Sequence, residues 1–218
     1  DLSSSKNSHE LKEIFYQRKK LSNFIKTIQG APESYIDTII SISIGGSRLG
    51  PELLSEVYGN PYSKIKVYYC SSYDFIELEN VMSTRNPART LVVISSKSFN
   101  TPEVIENANK AKDWLKSVVG DHCWDQIIGI SSNKEAMTEF GIEGANQFEI
   151  LDSVGGRYSI WSSISLPAIV DMGWKGFEEF LEGAYEADKH FRNNPWDQNI
   201  PVLMALLSVW NLNGLRVN

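Results

Sequence analysis

The sequence has few of the residues that usually build crosslinks and metal centres. It contains 2 cysteines, Cys70 and Cys123, and 3 histidines, His9, His122 and His190. Two cysteines cannot make a disulfide framework or a zinc cluster, so both read as buried thiols of a reducing compartment. The histidines share no ligand spacing, and each reads as a surface or packing residue. Positive charge is not in excess: 21 Lys+Arg against 27 Asp+Glu leave a net charge of −6, which argues against a general nucleic-acid binder. The most basic cluster, Arg18-Lys19-Lys20, falls in a predicted helix and reads as a solvated face. No run of about 18 apolar residues is present, so no helical membrane span is expected. No basic segment with an apolar core opens the chain, so no secretory signal is visible. The sequence begins at Asp1 rather than Met, so a missing true N-terminus is expected.

What is present suits a soluble globular protein. The chain has 218 residues, 42% hydrophobic and 22% charged, enough for one large domain or two small ones. Residues 9–29 carry Leu11, Ile14, Phe15, Leu21, Phe24, Ile25 and Ile28 at helical spacing, stopped by Gly30 and Pro32. The preceding DLSSSKNS reads as a loop. From residue 38 β-branched runs at 38–44, 64–70, 90–95, 125–131 and 146–151 alternate with helical segments at 51–58, about 73–82, 102–119 and 133–140. Near-continuously apolar strands separated by helices predict an α/β fold, a doubly wound five-stranded parallel sheet with helices on both faces. An N-terminal helical arm (1–37) and C-terminal helices complete it. The strand order is not fixed by the pattern.

Three helices follow. Residues 158–173 contain Pro167, which predicts a kink or break. Residues 176–193 are amphipathic, with Phe177, Phe180, Leu181, Ala184, Ala187, His190 and Phe191 on or near one face. In 201–214 only Ser208 is polar between Val202 and Trp210. A helix apolar all round needs burial on every side. Either it packs deep in this domain, or, as we favour, more protein follows Asn218. The expected organisation is an arm at 1–37, a ligand-binding domain at 38–195, and an apolar helix at 196–218 leading to an absent second subdomain.

Three loops after strands are chemically unusual, and ligands of parallel sheets bind at the strands' carboxyl ends. Gly45-Gly46-Ser47-Arg48-Leu49-Gly50-Pro51 is not a dinucleotide fingerprint, because serine holds position 47. Nor is it a P-loop, because Pro51-Glu52 stands where Lys-Ser/Thr is required. It is a glycine turn with one hydroxyl, close to a helix that we place from Pro51 onward. Its amides suit an anion or a sugar hydroxyl, though a plain tight turn would look the same. Ser95-Ser96-Lys97-Ser98-Phe99-Asn100-Thr101-Pro102-Glu103 crowds hydroxyls and an ammonium at a helix start. Capping by Thr101 or Asn100 with Glu103 explains part of it, and leaves Ser96, Lys97 and Ser98. Val154-Gly155-Gly156-Arg157-Tyr158-Ser159 offers bare backbone beside a fixed positive charge; a structural pairing of Arg157 with Asp152 competes.

The stretches SIGGSRLGP, SSKSFNTPE and VGGRYSIWSSISLP, in this order, resemble the phosphoglucose isomerase family, as does the later HFRNNPWDQNIPVLMALLSVW. The likeness runs from about Ile39 to Leu215. It implies an SIS-type sugar-phosphate-binding domain and interconversion of glucose 6-phosphate and fructose 6-phosphate through a cis-enediol, without metal or redox cofactor. By the same resemblance Ser96, Lys97, Ser98 and Thr101 fall where the family binds phosphate. Gly46 and Ser47 fall in the sugar-contacting loop, and Gly156 and Arg157 beside the reacting carbons. Arg157 is the candidate catalytic group, because a preplaced guanidinium stabilises charge growing on the enediol oxygens. The implied partner is a hexose 6-phosphate, not nucleic acid or membrane; the implied whole protein is a cytoplasmic homodimer.

The sequence departs from the family in places. Its base, a glutamate in a Gly-Asn-Gln…Glu-Ser type motif, does not occur here. The ring-opening histidine and a late lysine also lie outside the matching stretch. Arg48 stands where aspartate is usual, Ser98 replaces threonine, and Asn100 and Pro102 replace threonine and glutamine. The expectation is therefore an isomerase fragment that is inactive alone. Alternatives are a non-catalytic SIS-domain sugar-phosphate regulator and, less well supported, a flavodoxin-like or nucleotide-binding domain.

Overall fold

A computed structural model describes residues 5–30 and 36–214. Five parallel strands form one sheet: β1 (Thr38–Ser43), β2 (Lys66–Cys70), β3 (Thr90–Ser95), β4 (Ile127–Ser131) and β5 (Gln147–Glu149). The order is β2-β1-β3-β4-β5. Thr38 of β1 pairs with Lys66 of β2 on one side and Thr90 of β3 on the other, so the chain reverses its winding between β1 and β3. That reversal opens a crevice at the carboxyl ends of these two strands. β1, β3 and β4 are buried along their whole length, which is why they read as unbroken β-branched runs.

Helices α1 (Ser5–Gly30), α2 (Gly46–Tyr58), α3 (Ile76–Thr84), α4 (Pro102–Val119), α5 (Lys134–Phe140) and α6 (Leu166–Met172) join and flank the strands. Ile40 and Ile42 of β1 and Val92 and Ile94 of β3 pack with Leu78 of α3 and Val104, Ala108 and Leu115 of α4. Alternation sends Ser41, Ser43, Val93 and Ser95 to the opposite face. There α2 packs on α6, and α1 on α6 and β5. A fully buried side chain such as Leu115 contributes roughly 1.5–3 kcal/mol.

Several expectations change. α1 starts at Ser5, so the part of DLSSSKNS within the described residues, 5–8, is helical rather than loop; Pro32 and residues 1–4 lie outside them. Lys20 is not on a solvated face. Its Nζ donates to the carbonyls of Gly144 (2.7 Å) and Gln147 (2.6 Å) and sits 4.9 Å from the Phe148 ring centroid. Burial depresses its pKa. α2 begins at Gly46, not Pro51, and Pro51 lies inside it. Pro51 is the sixth residue of α2, past the first turn where an N–H has no helical acceptor, so the bond from position 51 to the Ser47 carbonyl is lost. Segment 158–173 breaks as expected. Turns of 3₁₀ type at Gly156–Trp161 and Ser163–Ser165 precede α6, which carries Pro167 in its first turn. Cys70 and Cys123 are free and buried; burial pushes the Cys70 thiol up to about 12.

The chain divides into two compact units at residues 174/175. The second holds most of α7 (Trp174–Asn193) and all of α8 (Ile200–Gly214). The Nε2 of His190 accepts from the Ile200 amide (3.0 Å), so this histidine closes the start of α8. Of the apolar face expected on α7, only Phe177 is buried. No residue of α8 is buried, and Trp210 is 71% exposed, so deep packing, the less favoured of the two readings of this helix, is not observed.

Candidate functional site

The crevice is built by loops that leave β1, β3, β4 and β5. The loop after β3 is the richest. Ser96 is 6% exposed, and its Oγ lies 3.1 Å from Oγ1 of Thr101, a hydroxyl–hydroxyl hydrogen bond. Thr101 is the residue before α4, yet its side chain caps no amide. No side-chain oxygen therefore stands in front of the positive end of α4; Pro102 carries no N–H and the Val104 and Ile105 amides both donate to the Thr101 carbonyl (3.0 Å each), which leaves the Glu103 amide at that end. Capping, offered above as an explanation for Thr101, is not its role. Ser98 donates instead to Oδ1 of Asn100 within the loop.

Ser96, Lys97, Ser98 and Thr101 line a cavity of about 720 Å³, opposite Ser132, Asn133 and Asp152. Two lysines reach it. Lys134 is paired with Glu149 at 2.9 Å. Lys97 donates to the main-chain carbonyl of Asp152 at 2.5 Å, a contact that orients the ammonium without neutralising it. Lys97 is therefore the lining cation whose charge can serve an anion. The loop after β4, with Ser132 and Asn133, is absent from the expectations. Ser131-Ser132-Asn133 repeats the serine pair at the end of β3, and that repetition is the signal that could have found it.

The two glycine loops meet each other. Gly45 adopts φ 56°, ψ −131°, and places Gly46 against the loop after β5. A Cβ on Gly46 would lie 2.1 Å from the carbonyl carbon of Gly156 and 2.6 Å from the amide nitrogen of Arg157. The bare backbone at Gly46 thus accommodates another loop. Gly156 itself has φ 54°. Gly155 approaches the Lys97 side chain, with Cδ 3.4 Å from where its Cβ would stand. Gly46, Gly156 and Arg157 are in this way joined to the Lys97 loop, although none of them lines the cavity. Ser47 is half-buried in the first turn of α2.

Arg157 is exposed, with its guanidinium carbon 4.9 Å from the Tyr158 ring centroid. Among the described residues it forms no ion pair with Asp152. Arg48 is engaged differently. It pairs with Glu52 (3.0 Å) and Glu77 (3.2 Å) and donates to Oγ of Ser71, tying α2 to the loop after β2. The hydrogen bond to Glu52 is the first cause of its raised pKa. Glu77 also accepts from the amides of Ser71 (2.7 Å) and Ser72 (3.2 Å). Arg48 does not line the cavity.

Comparison with known proteins finds relatives both in sequence and in fold. A family model described as phosphoglucose isomerase matches residues 4–218. A glucose-6-phosphate isomerase of Helicobacter pylori is 38% identical over 217 residues, covering 95% of this chain and 39% of the relative. One from Acinetobacter baumannii is 37% identical over 218 residues, again covering 39% of the relative. The chain thus spans about two fifths of the length of these curated relatives. A crystal structure of a glucose-6-phosphate isomerase from Chlamydia trachomatis superposes with a TM-score of 0.83 at 25% identity, over 97% of this chain and 40% of that one. A hypothetical protein from Thermus thermophilus shares the fold, with a TM-score of 0.73 at 22% identity.

Proposed function

The chain belongs to the phosphoglucose isomerase family, and from that premise we propose that it carries the sugar-phosphate-binding part of an aldose–ketose isomerase. The substrates are glucose 6-phosphate and fructose 6-phosphate, and the route between them is a cis-enediol. The observation that carries this reading is the start of α4. Its amides lack a side-chain cap, and Ser96, Lys97, Ser98 and Thr101 line the cavity at that point. Hydroxyls, the positive end of a helix with the Glu103 amide, and an unneutralised ammonium are what a phosphate dianion requires.

Each site residue then has a physical role. The Lys97 ammonium and the Ser96, Ser98 and Thr101 hydroxyls seat the phosphate. Gly46 and Ser47 border the sugar. As a proton leaves C1 or C2 and another is delivered to the neighbouring carbon, negative charge grows on the two oxygens. Arg157, beside Gly156, stabilises that charge, and a preoriented guanidinium does so without the reorganisation water would need. The family's base, a glutamate in a Gly-Asn-Gln…Glu-Ser type motif, has no counterpart in this sequence. The chain alone is therefore expected to bind but not to turn over. A homodimeric whole protein and a cytoplasmic location belong to the same reading; two free buried thiols favour the latter.

Titration calorimetry with fructose 6-phosphate tests the reading. Replacing Ser96→Ala together with Lys97→Met removes a charged and a neutral hydrogen bond, worth about 3 kcal/mol, so affinity should fall roughly a hundredfold. Unchanged affinity would remove the phosphate role. Turnover of glucose 6-phosphate above blank in a coupled assay would overturn the expected inactivity.

A further inference from the structure

We propose that Ser131 and Ser132, at the end of β4, are positioning residues that hold the phosphate-binding turn in its anion-accepting conformation. The proposal rests on the phosphate reading of the cavity. Its physical basis is one carbonyl. The Lys97 main-chain oxygen accepts from Oγ of Ser131 (2.7 Å), Oγ of Ser132 (3.0 Å) and the Ser132 amide (3.1 Å). Three donors saturate an oxygen that has two lone pairs.

A carbonyl turned into an anion site would repel a phosphate. Locking this one onto the loop after β4 prevents that. No cis peptide occurs among the described residues, so the Lys97–Ser98 peptide directs its N–H opposite to its C=O. The Ser98 amide therefore points away from Ser131 and Ser132, on a residue that lines the cavity. The next carbonyl, that of Ser98, accepts from Nδ2 of Asn133 (3.3 Å), and Oδ1 of the same Asn133 caps α5 at Ala136 (3.0 Å).

The turn needs this support because it is strained. Phe99 has φ 52°, a left-handed conformation that costs a non-glycine residue about 1–2 kcal/mol. Its amide returns to the Ser96 carbonyl (3.2 Å), and its ring is 3% exposed, edge-on to Phe140 of α5 at 5.8 Å. The turn is thus anchored on the β4–α5 unit by the Lys97 and Ser98 carbonyls and by the Phe99 ring. Ser131 is fully buried and does not line the cavity, so its part is indirect; Ser132 does line it, so its positioning part is read from amide exchange at Ser98 and Phe99 and not from affinity alone.

The test compares Ser132→Ala, the Ser131→Ala/Ser132→Ala pair and Ser132→Thr with Lys97→Met in the 218-residue chain. The probes are fructose 6-phosphate and inorganic phosphate by calorimetry, with amide hydrogen exchange at residues 97–99. The double variant should bind both probes about tenfold more weakly while keeping its cooperative melt. Exchange at Ser98 and Phe99 should rise, and Ser132→Thr, which retains the hydroxyl, should bind as the parent does. If Lys97→Met loses affinity while the double variant stays within about twofold of the parent, the positioning role is overturned and the phosphate site stands. If the parent binds neither probe, the phosphate reading fails. Hydrogen exchange still decides the positioning role in that case, because unchanged protection at Ser98 and Phe99 in the double variant overturns it. Should the pair not fold, Ser132→Ala alone is expected to show the same shifts at smaller size, and parental values there overturn the proposal.

Discussion

A methyl group on Gly46 would fall 2.1 Å from one backbone atom and 2.3 Å from the next, both in Gly156. Backbone cannot yield as a side chain tip can, so Gly46→Ala should cost about 3 kcal/mol and push the two glycine loops apart. Gly155 is the internal control. Its φ of −175° suits any residue, and its Cβ would meet only the flexible Lys97 chain at 3.4 Å. Gly155→Ala should stay within about 0.5 kcal/mol of the parent. Equal melting temperatures for the two variants would sink this account. The glycines were legible in the sequence as bare backbone, but what approaches that backbone was not, since the partner at Gly46 lies more than a hundred residues away. Glu77 carries a second prediction. Burial alone would raise its pKa, but the Ser71 amide, the Arg48 guanidinium and the Ser72 amide outweigh that and bring it below the usual 4.5. A depressed folded-state value means stability present above the unfolded pKa and lost as pH falls through the folded one. Glu77→Gln should therefore melt lower at pH 7, by about 1 kcal/mol after solvent screening, and the gap should close as pH falls below 4.5 and through the depressed folded-state value. A gap independent of pH would assign the loss to shape rather than charge.

Elements were legible where local chemistry decides them. α4 spans Pro102–Val119 as the pattern predicts, because Pro102 opens it and Gly120, at φ 63°, closes it. α2 was misplaced because proline marks a helix start by local preference. Here the segment Gly46–Gly50 packs against the turn Gly156–Trp161, with Gly50 close to Ile160, and that contact favours a helix five residues earlier. The α1 arm shows the same limit. A basic run looks identical whether it is hydrated or docked, and main-chain carbonyls leave no mark in a sequence. Lys20 ties α1 to the start of β5 by two such carbonyls. Lys20→Ala should cost about 1–2 kcal/mol, allowing for partial exposure, and should speed amide exchange in α1 before the sheet. Exchange rising equally in β3 would show global rather than local loosening.

At the scale of the whole molecule, alternating strands and helices announced a parallel sheet, and hence where its ligand loops gather. Strand order was silent because each buried strand carries the same β-branched code, and the place where β1 meets β3 depends on crossovers. The loop after β4 was overlooked for a related reason: nothing in Ser131, Ser132 and Asn133 shows that the Lys97 carbonyl, more than thirty residues away, lies between them. The all-apolar character of α8 was legible, and its consequence is physical. Leu206, Leu207, Val209, Trp210 and Leu212 are each more than half exposed, five large apolar side chains on one helix, and apolar exposure grouped in this way marks an association surface. Such a surface lowers its free energy by covering itself, at roughly 25 cal/mol per Å². The 218-residue chain should therefore associate as concentration rises. Light scattering behind size exclusion should show mass growing from about 1 to 100 µM. Leu207→Glu with Trp210→Lys should return the monomer mass without lowering the melting temperature, since neither side chain contributes to a buried core. A parent chain that stays at one monomer mass over that range would mean that this apolar surface has little tendency to associate.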